Sequence, residues 1–209
     1  MKGTLLFILI GWMISTSLMA STAPQVVKNE AGIRAETLGL IINTQDPLSV
    51  EIGRYYQQTH DVPEGNIIEI ELPKASSISR EGFDSIYEKV IEQTPDNIQA
   101  YALAFWKPYK VDCLSITTAF TFGFDERFCA SGCRATRYSP YFRSASPSPW
   151  TDLKIRPTMA IAARTFKQAK ALIDRGFASR QQWPRKANGF VLQTSDRARS
   201  VRRLRDEDI

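Results

Sequence analysis

The 209-residue chain carries 27 Lys and Arg against 22 Asp and Glu, a formal charge of +5, with 43% hydrophobic, 11% aromatic and 23% charged side chains. That is an ordinary globular composition, and it excludes disordered, collagen-like and disulfide-dense classes; no repeat at a period of roughly 20 to 50 residues points to a solenoid. One His and three Cys disfavour a self-contained zinc site, a haem ligand set and a Ser/His/Asp triad drawn from several candidates, and no cofactor or metal is implied.

Lys2 precedes an apolar run from Leu5 to Ile14, and small residues follow around Ala20 and Ala23. Charged, apolar and small-residue regions in that order are the pattern of a signal peptide, assigned here to residues 1–20. An apolar helix of this length spans about 15 Å, half of the ~30 Å hydrocarbon core, so cleavage is preferred to a permanent anchor. The cut falls after Ala20 or Ala23, and Pro24 beside the second site favours the first. The expected location is periplasmic or secreted.

An α/β domain is expected over residues 24–194. Leu38 to Asn43 is a short continuous apolar run of the kind found in strands buried on both faces of a parallel sheet. Asp46 caps a helix with Pro47 in its first turn, running to about Thr59–Pro63. Asn66 to Leu72 follows as a strand, with Glu69 and Glu71 sharing a side as at a sheet edge. Ser79 caps a second helix, in which Phe83, Ile86, Tyr87, Val90 and Ile91 recur at helical spacing; it ends before Pro95. Tyr101 to Trp106 gives a third strand, broken at Lys107-Pro108. Successive βα units imply a mainly parallel sheet with helices on both faces.

From Lys107 to Ile155 the periodicity lapses, and all three Cys fall in this insertion after the third strand. An excursion that long is functional or disordered; aromatics such as Phe120, Phe122, Tyr138 and Tyr141 favour an ordered one, with a short helix near Ser115 to Phe122. Thr158 to Ala163 returns as a strand, Thr165 caps a helix through Ile173 and Phe177, and Gly189 to Thr194 supplies a fifth strand. Residues 195–209 read as a basic tail or the start of a helix with no strand to return to, so the sheet is expected to be incomplete at the C-terminus.

Cys113, Cys129 and Cys133 would form a disulfide in an oxidising compartment, leaving one thiol over. Cys129 with Cys133 is favoured, because Gly132 permits a tight turn; Cys113 with one of them comes second. His60 reads as a surface turn residue at a helix end, where the macrodipole favours a cation. A Cys113/His60 dyad is disfavoured, since helix ends approach the opposite rim of the sheet from its ligand-binding rim. Asp46 is explained as a cap. Asp112, Asp125 and Tyr141 mark the excursion as a possible ligand-contact loop, the two carboxylates being candidates for acid/base work or simply solvated. Charge is uneven: Pro24 to Lys110 holds eight basic and thirteen acidic residues, whereas Arg164 to Arg205 holds twelve and two. Export makes nucleic acid an unsuitable partner for this basic third and an anionic cell-envelope polymer or membrane surface a better one.

Leu40-Ile41-Ile42-Asn43, Asp46-Pro47-Leu48-Ser49-Val50, Gly53-Arg54-Tyr55-Tyr56, Pro108-Tyr109-Lys110-Val111-Asp112-Cys113, Ser139-Pro140-Tyr141-Phe142 and Leu172-Ile173-Asp174-Arg175-Gly176 together resemble the N-terminal half of a family of exported bacterial proteins that co-occur with exosortase, the membrane enzyme of a protein-sorting system. None of these strings is a catalytic motif. The resemblance implies a role in surface-protein or exopolysaccharide handling, by a truncated and non-catalytic chain. Longer relatives of that family also look loosely like the caspase and gingipain type of cysteine peptidase, which leaves open a hydrolase whose catalytic half is missing. A binding module that uses the 107–155 insertion is the third reading.

Overall fold

Parallel strands buried on both faces read as near-continuous apolar runs, and Leu38, Leu40, Ile41 and Ile42 supply one within β1 (Leu38–Asn43). The computed structural model describes residues 32–130, 135–179 and 195, which belong to one compact unit beginning at Gly32. β1 is followed by α1 (Pro47–His60), β2 (Ile67–Ile70), β3 (Ser77–Ile78), α2 (Arg80–Gln93) and β4 (Ala100–Leu103). The excursion contains β5 (Lys110–Val111), β6 (Leu114–Ser115), α3 (Ile116–Phe122) and α4 (Pro149–Leu153). β7 (Thr158–Ala160) and α5 (Phe166–Ser179) follow it.

The main sheet has the order β2-β1-β4-β7 and every pairing in it is parallel. Successive residues of a strand face opposite sides, and β1 divides the core accordingly. Leu40 and Ile42 join Ile52 and Val62 of the α1 region and Ala169 and Ile173 of α5. Ile41 joins Phe83 and Val90 of α2 and Ala119 and Phe120 of α3 on the other side. Burying each of these large side chains stabilises the fold by roughly 1.5–3 kcal/mol. The result is the expected α/β architecture, a parallel sheet between two helical layers. On the first face α1 rides directly on β1: a Cβ at Gly53 would lie 2.6 Å from Ile42 Cγ1.

Sequence and structure agree closely on the caps. Asp46 accepts from Leu48 N–H, Ser79 from Gly82 N–H, Ser115 from Thr118 N–H and Thr165 from Gln168 N–H. Each supplies an acceptor to a helix start that would otherwise leave N–H groups unpaired. The strands are shorter than expected. β2 stops at Ile70, because Leu72 bonds a side chain rather than a neighbouring strand. β4 stops at Leu103 and β7 at Ala160, although Ala104 N–H still donates to Ile41 O and Ile161 N–H to Leu103 O. β3, β5 and β6 form a small second sheet that no sequence period announced. Among the described residues β2 is an edge strand, as Glu69 suggested; the Glu69 carboxylate lies 3.5 Å from the Arg54 guanidinium. The expected signal peptide, the fifth strand at 189–194, the helix after Ser195 and Cys133 lie outside the described residues.

Candidate functional site

In an open parallel sheet, ligands bind beyond the carboxyl ends of the strands, where the winding reverses. Here the chain moves from β1 to β2 on one side and then crosses to β4 on the other, so the reversal lies between β1 and β4. At the end of β1, Asn43 is fully buried. Its Nδ2 donates to Leu72 O at 3.0 Å, and its Oδ1 accepts from Leu72 N–H at 2.9 Å and Gln45 N–H at 3.2 Å. The Asn43 N–H donates to Ser49 Oγ at 2.9 Å. The Asn43 side chain therefore fixes the loops after β1 and β2, and its main-chain N–H ties the strand end to the first turn of α1. Asp46 is confirmed as a cap, and its carboxylate lies 3.8 Å from Lys74 Nζ.

Beyond β4 the chain passes through buried Phe105 to half-buried Trp106 and turns at a cis Lys107-Pro108 peptide. Lys107 Nζ sits 4.5 Å from the Trp106 ring centroid, and the Arg164 guanidinium, just before α5, approaches the same ring at 5.6 Å. Trp106, Ala162, Ala163, Arg164 and Gln168 line a cleft of about 410 Å³. Among the described residues neither Lys107 nor Arg164 forms an ion pair. Gln168 Oε1 accepts from Arg164 N–H at 3.1 Å, which holds the turn into α5. The ring quadrupole favours a cation over its face, and two cations without a carboxylate partner among the described residues favour an anion. Sequence reasoning missed this trio, because Trp106 and Arg164 lie on either side of the whole excursion.

The excursion itself corrects one expectation. The disulfide joins Cys113 to Cys129, with Cα atoms 5.5 Å apart, and not Cys129 to Cys133. The turn argument considered only neighbours in sequence. The structure places Cys113 in the tight connection between β5 and β6, and a short helical turn at Glu126–Phe128 carries Cys129 back to it. Asp112 has φ 44° and accepts from Arg80 N–H at 3.0 Å, adding an acceptor to the start of α2. Asp125 accepts two bonds from Arg127 Nε and one at 2.7 Å from its Nη2, and a further one from Arg137 at 3.2 Å. These donors hold its carboxyl far below the usual carboxylate range, with the Arg127 side-chain bonds the largest cause. Asp112 and Asp125 thus each serve local structure and do not form an acid/base pair. Of the three residues expected to mark a ligand-contact loop, Tyr141 does line a groove, between α3 and the start of β7.

His60 ends α1, stacks on Tyr56 with ring centroids 4.2 Å apart, and meets the edge of Phe177 of α5 at 6.0 Å. It lies with the α1/α5 layer, whereas the residues flanking Cys113, Val111 and Leu114, belong to the second sheet, with Val111 in the core of the opposite face. Cys113 and His60 form no dyad. Among the described residues no group of three or more His, Cys, Asp or Glu side chains is placed to hold a metal ion.

A second polar feature lies inside the α2 face. Arg156 is 3% exposed; its Nε donates to Ile98 O at 2.9 Å and its guanidinium lies 3.5 Å from the Trp150 ring centroid. Burial pushes the Tyr87 phenol up to about 12, with a smaller contribution from Tyr101, while Arg156 opposes the rise. Burial raises Tyr101 as well. Because the folded pKa of Tyr87 exceeds its unfolded value of about 10, its contribution is fully present below pH 10 and is lost as pH rises towards 12. The rise from about 10 to about 12, on a side chain still partly open to solvent, corresponds to about 2 kcal/mol. Urea midpoints measured from pH 8 to 12 are expected to fall steeply above pH 10, and the Tyr87→Phe variant is expected to fall less steeply. Parallel curves for the two proteins would contradict this assignment.

No family model, curated protein or solved structure matches the chain.

Proposed function

We propose that the chain is a non-catalytic binding module of the bacterial cell envelope that handles an acidic polysaccharide, as its resemblance to the exosortase-associated family suggests. The observation that carries this reading is the rim cleft, in which Lys107 and Arg164 flank Trp106 without carboxylate partners among the described residues. A sugar ring presents a C–H face that an indole can cover, and a uronate or similar group supplies the negative charge for the two cations. The Cys113–Cys129 disulfide accords with an oxidising compartment. Among the described residues no helix is long and apolar enough to cross a membrane. The rival hydrolase reading draws no support from Cys113 or Cys129, whose sulfurs are bonded to each other.

The test is retention of the purified chain on an immobilised uronic-acid polymer and on a neutral dextran, over a range of salt. Binding to the acidic polymer alone is expected, and it should weaken as salt screens the pairs. The Lys107→Ala/Arg164→Ala double variant should bind about tenfold more weakly, since each exposed pair contributes roughly 0.2–1 kcal/mol. Equal retention on both polymers, or indifference to salt, would refute the reading.

A further inference from the structure

The groove between α3 and β7 has a volume of about 290 Å³, and among the described residues no charged side chain lines it. Its apolar part comes from Phe122, Ile155 and Pro157, and the Phe122 ring is held from behind by stacking on Phe128 at 4.4 Å. Its polar part is made almost entirely of hydroxyls. Three of these have already committed their single proton to a main-chain carbonyl. Thr121 Oγ1 donates to Thr117 O at 2.8 Å, Thr158 Oγ1 to Arg156 O at 2.9 Å and the Tyr141 hydroxyl to Ser146 O at 3.2 Å. Each of these oxygens can therefore only accept from anything that enters the groove. Ser139 differs: its Oγ accepts from Tyr141 N–H at 3.1 Å and keeps its proton for donation. Thr117 and Thr118 share Ser115 Oγ, at 3.0 and 2.7 Å, and because Ser115 has a single proton at most one of the two threonines keeps its own for donation into the groove.

A groove rich in acceptors and without charge selects its occupant by chemistry. Carboxylates and phosphates bring acceptors to acceptors and would lose hydration with no cation to offset it. Peptides bring one carbonyl for every N–H, so half of their polar groups would face oxygens that cannot donate. Sugar hydroxyls rotate, and each can present its proton, while the C–H face of the ring lies on Phe122, Ile155 and Pro157.

We propose that this groove, framed by Thr121, Tyr141 and Thr158, is a binding site for an uncharged saccharide that acts as the hydrogen-bond donor. The site is separate from the rim cleft and does not depend on it. Its test is calorimetric titration of the full-length chain with a panel of neutral β-1,4-linked gluco-, manno- and galacto-oligosaccharides and with an end-blocked, uncharged peptide. At least one oligosaccharide is expected to bind with an affinity indifferent to salt. Thr121→Val, Thr158→Val and Tyr141→Phe should each weaken it about three- to tenfold, the range for one hydrogen bond. The Lys107→Ala/Arg164→Ala variant should bind it unchanged, which separates failure here from failure of the rim site. The proposal is overturned if no oligosaccharide binds, if the peptide binds in its place, or if the three variants keep both a native near-ultraviolet spectrum and full affinity.

Discussion

Replacing Asn43 by Ala is expected to remove about 4 kcal/mol of folding stability. The Asn43 side chain is fully buried and makes three bonds to main-chain groups of Leu72 and Gln45. Truncation leaves those groups without partners, at roughly 1–3 kcal/mol for each one that stays buried. Asn43→Asp provides the sharper comparison. A carboxylate there could still accept from Leu72 and Gln45 N–H, yet it could not donate to Leu72 O. Burial would raise the pKa of the introduced carboxyl. Its neutral form, which can donate, is therefore favoured by folding, and its stabilising effect is present at low pH and lost as pH rises through that raised pKa. Denaturation midpoints of the Asn43→Asp variant should thus approach those of the native chain towards pH 4 and diverge from them by pH 7. A constant gap between the two, or a loss under 1 kcal/mol for Asn43→Ala, would show that the loops after β1 and β2 are held by something else.

Loss of the Cys113–Cys129 disulfide should cost about 3 kcal/mol. The bonded residues are separated by 16 positions, and closing a loop of about that length removes a corresponding amount of chain entropy from the unfolded state. The double substitution Cys113→Ser/Cys129→Ser is the cleaner form of the experiment, because it leaves no partner for exchange with Cys133. Its denaturation midpoint should match that of the native chain in reductant and lie well below that of the native chain without it. The effect should also be local. Arg80 connects the start of α2 to the excursion through Glu126 at 3.7 Å and the Phe124 ring at 5.3 Å, contacts exposed enough to contribute little by themselves. Limited proteolysis should accordingly cleave the double variant within the excursion before the sheet is attacked. Unchanged midpoints, or first cleavage elsewhere, would argue that the disulfide is incidental.

Local signals were legible in the sequence wherever local physics decides the outcome. An apolar run announced β1, and short polar side chains ahead of helical periods announced the starts of α1, α2 and α5. What could not be read depends on contacts between distant segments. The role of Asn43 at the end of its strand could not be read, because its partner Leu72 lies beyond a helix and a strand. The cysteine pairing escaped a turn argument, since the β5–β6 connection presents Cys113 where only the folded chain can bring Cys129. Asp112 and Asp125 looked alike as loop acids, yet one supports a helix start and the other grips two arginines. Lys107 and Arg164 became neighbours only because β4 and β7 pair side by side.

The strand order also constrains the route by which the protein reaches its native state. β1 pairs with both β2 and β4, so everything from Leu38 to Leu103 can assemble around it before β7 arrives. Pairing Tyr101 with Thr158 requires the whole intervening excursion to be drawn in, and packing of β7 must offset the entropy of closing that loop. The segment from Leu38 to Leu103 holds no cysteine, so its three parallel strands can pair whatever the redox state, and an oxidant acts only on the excursion that Cys113 and Cys129 close.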